Sequence, residues 1–166
     1  MFVTDPAVLD AEATLADVVV ARRVAEQAEV RILCDAARWA DLHARLDNAD
    51  TGVSLPGTEQ LVSLGGVGTP GVAEFAAAEL GAVLGISPGA AAVLVGDALD
   101  LRHRLPRLWA RVRAGQVCAW VGRRVAQATR QLSVEVAVVV DRRVARWASS
   151  VSVSYTHLTL PTIYSV

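Results

Sequence analysis

Lysine is missing from this chain: all 16 basic residues among its 166 positions are arginine. A Walker-type phosphate loop needs its Gly-Lys pair, so nucleotide hydrolysis by that route is excluded. Cysteine is scarce as well. Cys34 and Cys118 form no CxxC pair and match no zinc spacing, so there is no disulfide framework and a reducing cytoplasm is the expected setting. Neither His43 nor His103 has a second histidine three or four residues away, and no metal or other cofactor is expected to bind. Aromatic residues are only 5% of the chain, and asparagine occurs once, at Asn48. No apolar run reaches the ~18 residues that span a bilayer, and the acidic start MFVTDPAVLDAE is no signal peptide. No membrane association is expected.

What remains is 53% hydrophobic and 20% charged, the balance of one globular domain able to build a core without staples. The net charge of −1 conceals a split. Residues 1–100 hold five arginines against fifteen acids, whereas residues 101–150 hold eleven arginines against only Glu135 and Asp141. Such a split means either an anionic partner for the basic half or the two halves pairing with each other. Pairing within the chain needs no partner and is the simpler expectation.

Periodicity predicts an all-α protein, a compact bundle of five to seven helices. A long N-terminal helix over residues 7–47 carries Ala25, Ala28, Ile32, Ala36, Trp39 and Leu46 at helical spacing. A Gly-rich loop at about 48–71 follows, with QLVSL (Gln60 to Leu64) as its one short-strand candidate. Thr69 and Pro70 are placed to start a helix that Gly85 ends, and Ser87-Pro88 repeats the start signal. The next helix sets Ala91, Leu94, Ala98, Leu101 and Leu105 on one face, and Pro106 interrupts it. A short helix then carries Leu108, Trp109 and Val112 before Gly115. Cys118, Val121, Val125, Ala128 and Leu132 mark the buried side of another, and Ser133 caps a last helix through Trp147. Trp39, Trp109, Trp120 and Trp147 are expected as core anchors, and both cysteines as core residues.

The tail departs from everything before it. Val153 to Thr162, VSYTHLTLPT, resembles a translated transposon-based sequencing adapter. The expected organisation is therefore a helical domain over 1–150 and a non-native adapter-derived tail over 151–166.

Gly66-Val67-Gly68-Thr69-Pro70-Gly71 fits the spacing GxGxxG. Dinucleotide binding also requires a βαβ setting, which is missing, so a flexible, capped loop is expected. The segment AEFAAAELGAVLGISPGAAAVLVGDAL has the cadence of a helix-turn-helix. Its second helix would open with Pro88, Gly89, Ala90, Ala91, Ala92 and Val93, which offer bases almost no hydrogen bonds, and Asp97 and Asp100 would repel phosphate. A packed αα-hairpin is the expectation. The strongest chemistry lies in the arginines of residues 102–146. Arg107 and Arg111 are four apart, Arg123 and Arg130 share a face with Gln127, and Arg142, Arg143 and Arg146 form a third group. With Arg124 these are the candidate nucleic-acid contacts. The competing assignments are solvated faces and ion pairs, including Asp100–Arg104 at i,i+4. No catalytic constellation is present, so the chain is not expected to be an enzyme by itself.

The blocks GGVGTP, VAEFAAAELG, DALDLRHRLPRLWARVRAG and RRVAQATRQLS resemble the actinobacterial domain of unknown function 222, the 13E12 repeat family, well over residues 65–147 and loosely over the first helix. The resemblance implies a helical N-terminal domain preceding an HNH endonuclease module, in a parent linked to mobile DNA. The HNH module, which would bind a divalent metal, has no counterpart here, and no catalytic residue carries over. The expected function is a non-catalytic domain that positions DNA or a partner for that nuclease in a truncated, cytoplasmic parent. The alternative is a protein–protein module with no nucleic-acid role, in which the long acidic helix forms a homodimer or docks on a basic partner.

Overall fold

A computed structural model describes residues 10–45 and 59–151, with side chains as far as Arg146. The tail, Trp147 as a core anchor, Leu46 and the first part of the Gly-rich loop lie outside that description. The described chain forms six helices and one small ladder. In order these are α1 (Ala11–Leu42), β1 (Leu61–Val62), β2 (Val72–Ala73), α2 (Ala76–Leu84), α3 (Pro88–His103), α4 (Pro106–Arg113), α5 (Ala119–Thr129) and α6 (Val134–Val151). The all-α expectation is met.

Asp10 starts α1 by accepting the amide of Ala13 at 2.8 Å, which satisfies one of the unpaired first-turn donors. Leu33, Ala36, Ala37 and Ala40 bury its second half against the bundle, and their small side chains let it pack closely on α3. The buried stripe is rotated from the expected one, since Ala25, Ala28 and Ile32 face solvent. At the end of α1, Trp39 donates from Nε1 to the Ala76 carbonyl at 2.7 Å, and the His43 ring lies 4.0 Å from the Trp39 ring. The amide of Ala73 donates to the His43 carbonyl. These contacts hold the antiparallel ladder, Leu61 opposite Ala73 and Val62 opposite Val72, against the end of α1.

Thr69 and Pro70 do not begin α2. Thr69 instead closes a turn on the Gly66 carbonyl through its amide and its hydroxyl, and residues 72–73 are drawn into the ladder, so helix starts only at Ala76. Gly85, at a φ of 67°, ends α2 in the left-handed conformation that glycine adopts without strain. Ser87 caps α3 through Ala90 and Pro88 occupies its first turn, as expected. The two helices turn through 108°, so the pair has the crossing of a helix-turn-helix and not that of an antiparallel αα-hairpin. The reason is α3 itself: Leu94 through Leu101 are buried on every side. Helices α1, α2, α4 and α5 pack around α3 as the central strut, and α2 has to leave its axis.

Pro106 breaks the chain into α4, whose first amides, Arg107 and Leu108, donate to the Asp141 carboxylate of α6 at 3.1 and 2.9 Å. A buried acid from a distant helix thus supplies the missing N-cap. Gly115, at a φ of 68°, turns the chain toward α5. That helix buries Ala119, Gly122, Ala126 and Thr129, one residue around from the expected face. Val121 and Val125 flank the contact and Ala128 is exposed. A Cβ on Gly122 would lie 2.8 Å from Val112 Cγ2; the smallest residues therefore take the closest approach. Trp109 is buried, but Trp120 is 60% exposed and is no core anchor. Cys34 and Cys118 are half-buried at the edge of the core.

Candidate functional site

Two carboxylates sit at the centre of the bundle. Asp97 and Asp100, three residues apart on one face of α3, have no solvent exposure at all. A buried carboxylate requires a matching charge and several donors, and α5 provides most of them. Arg123 Nε and Gln127 Nε2 each donate to Asp97 Oδ2 at 2.8 Å. Arg130 spans both acids, with Nη2 on Asp97 Oδ1 and Nε on Asp100 Oδ2, each at 2.8 Å. On the other oxygen of Asp100, Arg104 Nη1 donates at 3.2 Å and the amide of Gly66 at 2.7 Å. Each acid therefore receives three donors.

Arg104 is 1% exposed. Besides Asp100 it donates to the carbonyls of Thr129, Arg130 and Leu132, placing a positive charge at the C-terminal end of α5. Its Nε is the one buried side-chain polar atom without a partner among the described residues. A Cβ at Gly66 would overlap the Arg104 guanidinium. The first glycine of the GxGxxG pattern is thus explained by an internal arginine, Gly68 takes a positive φ of 91°, and the loop is a turn fastened to Asp100. Asp97 and Asp100 lie inside the bundle, and the Asp100–Arg104 pair expected at i,i+4 is formed.

Pairing within the chain accounts for part of the charge split. Arg104, Arg123 and Arg130 neutralise the two α3 acids, and Arg102 pairs with Asp41 of α1 at 2.6 Å. Arg123 and Arg130, both candidate nucleic-acid contacts, thus belong to the cluster, although their side chains are 36% and 21% exposed. Arg107, Arg124, Arg142, Arg143 and Arg146 are exposed and Arg111 is half-exposed. Helices α4 and α6 pack against each other, and the Asp141 cap fixes the backbone of Arg107 beside the turn that carries Arg142 and Arg143.

The remaining titratable groups are scattered. Burial and the neighbouring Arg102 hold the His103 imidazole below its ordinary pKa, against a smaller opposing pull from Asp41. Burial and the Glu26 carboxylate, 3.6 Å from its sulfur, push the Cys118 thiol up. A hydrogen bond with Ser133 holds the exposed Glu135 below the usual carboxylate range. The described residues contain no group of three His, Cys, Asp or Glu able to hold a metal. His43 is stacked on Trp39 at the end of α1, and His103 lies beside Arg102. A groove of about 290 Å³ lies between α1 and α5, lined by Ile32, Leu33, Leu84, Ile86 and Trp120 with Glu29 and Arg123 at its rim.

Residues 64–159 match the model of the family described as Domain of unknown function (DUF222). The chain belongs to the DUF222 family. The matched DUF222 region takes in β2 and α2–α6, runs on into the tail, and leaves α1 outside. Every member of the buried cluster, from Gly66 to Arg130, lies within it. No curated protein and no solved structure matches the chain. Among the described residues, no single helix is long and apolar enough to cross a membrane.

Proposed function

We propose that this DUF222 domain is a non-catalytic scaffold that holds DNA by its phosphates, through the arginines of α4 and α6, for an HNH-type nuclease module of its parent protein. The observation that carries the reading is the charge left after internal pairing. Four of the eleven arginines in residues 101–150 are matched by Asp41, Asp97 and Asp100. Arg107, Arg111, Arg113, Arg124, Arg142 and Arg143 form none of these pairs, the acids within residues 101–150 are Glu135 and Asp141, and Asp141 is buried as a helix cap. Guanidinium groups at this density suit a polyanion. Base readout has little support: the exposed opening of α3 is Pro88, Gly89 and Ala90, which carry no hydrogen-bonding side chain. Binding is therefore sequence-tolerant and governed by salt.

Fluorescence anisotropy of a labelled duplex over a salt series tests this. The wild-type chain should bind at low salt and release as salt rises. Replacing Arg107, Arg111, Arg142 and Arg143 together with Gln should remove up to about 3.6 from the log–log salt slope, at ~0.9 per phosphate contact. An absence of retention at low salt, or an unchanged slope in the quadruple variant, refutes the reading.

A further inference from the structure

The first half of α1 leaves the bundle. Glu26 is the last point of support, where its Oε1 meets Cys118 Sγ, and nearly all of residues 11–25 are exposed. At 1.5 Å per residue this arm is about 22 Å long. It is not a polar arm. Leu15, Val18 and Val19 are 66%, 56% and 50% exposed. Leu15 and Val19 also continue the seam that the bundle covers lower down. Val30, Leu33, Ala37 and Ala40 follow one another three or four residues apart, and the same face runs back through Glu26, Arg22, Val19, Leu15 and Glu12 at steps of three or four. One helical stripe thus has its lower half buried by the body and its upper half uncovered.

We infer that the uncovered half is the contact between two copies of this chain, with their α1 arms antiparallel. The order of charges along the seam selects the second copy and its direction. Glu12 and Arg22 bracket Leu15 and Val19. A parallel pair sets Glu12 against the partner's Glu12 and Arg22 against the partner's Arg22, both repulsive. An antiparallel pair sets Leu15 against the partner's Val19 and Glu12 against the partner's Arg22, and two-fold symmetry supplies each contact twice. Arg22 uses Nε on its own Glu26 at 3.0 Å, and its remaining donors are available to the partner's acid. The antiparallel direction also sends the two bundles to opposite ends of the paired arms. This contact rests on α1 alone and stands whether or not the arginine surface binds DNA.

Sedimentation equilibrium of the full chain without DNA tests the pairing. A monomer–dimer equilibrium is expected, abolished in the double variant Leu15→Asp, Val19→Asp. Those residues touch no part of their own bundle, so far-UV circular dichroism should stay native; Leu15→Ser, Val19→Ser serves if the aspartates unwind the arm. Glu12→Arg or Arg22→Glu alone should weaken dimerisation about tenfold or more, as like charges meet. The two together should restore it. A chain that is monomeric at every concentration overturns the inference. So does a dimer unmoved by the Leu15 and Val19 changes, and a charge swap without recovery overturns the antiparallel pairing.

Discussion

Removing Arg130 should cost this domain a large share of its stability, and the size follows from counting donors. Arg130→Ala takes away the sole donor to Asp97 Oδ1 and the sole donor to Asp100 Oδ2. Both acids are fully buried, so each is left with one oxygen unpaired. Breaking a buried ion pair from one side typically costs ~3–5 kcal/mol. Arg130 itself is 21% exposed, and water entering its place moves the expectation to the lower end, about 3 kcal/mol. That corresponds to a fall in Tm of roughly 12 °C. Arg130→Lys should recover little, because one ammonium cannot span two carboxylates as the guanidinium fork does. Urea unfolding followed by circular dichroism measures the loss, and adding salt should barely change it, since buried pairs are weakly screened. A double-mutant cycle with Asp100→Asn should show strong coupling. If Arg130→Ala unfolds within about 0.5 kcal/mol of wild type, the range of an ordinary surface change, the cluster does not hold the bundle together and the reasoning fails.

Trp109→Ala should destabilise by ~3–5 kcal/mol as a core truncation, whereas the exposed Trp120→Ala should stay within ~0.5 kcal/mol; thermal melts of the two variants separate them. Stability should also bend at both ends of the pH range. The Cys118 pKa is raised in the fold, so its contribution is full below the ordinary thiol value of 9.0 and falls as pH rises through the raised one. Cys118→Ser should abolish that alkaline loss in urea midpoints. The His103 pKa is lowered, so its contribution is present above the ordinary value of 6.5 and is lost as pH falls through the lowered one. His103→Gln should flatten that acid limb.

The parts of the fold legible in the sequence were those set by backbone chemistry. Ser87-Pro88, Gly85, Pro106 and Gly115 act through capping, a missing amide or a positive φ, and each acts where it stands. The parts set by tertiary contact were not legible. Gly122 and Ala126 carry little hydrophobic weight, so Val121 and Val125 seemed the better inward face of α5. Small residues nonetheless permit the closest helix contact. Thr69 has the chemistry of a cap but was claimed by the Gly66 turn. Asp97 and Asp100 were legible only in part: the i,i+4 pair Asp100–Arg104 can be read locally, whereas Arg123, Gln127 and Arg130 lie 26 to 33 residues further along. The usable signal was that α3 is apolar on all other sides, a pattern of helices enclosed by their neighbours.

The arginines of residues 101–150 therefore cannot be tested as one group. Arg104 is internal, Arg123 and Arg130 reach from the buried acids to the surface, and Arg107, Arg111, Arg142 and Arg143 make no pair with those acids. A variant that combines Arg123 and Arg130 with Arg142 would lose DNA binding by unfolding even if none of the three touched a phosphate. The quadruple variant on α4 and α6 avoids this, because none of its four residues lies in the cluster and all four keep their backbone bonds on substitution by Gln. If it retains its melting temperature while the salt slope falls, the lost term is phosphate contact. If the slope falls only in the cluster variants, the basic half of this chain serves its own acids and no DNA.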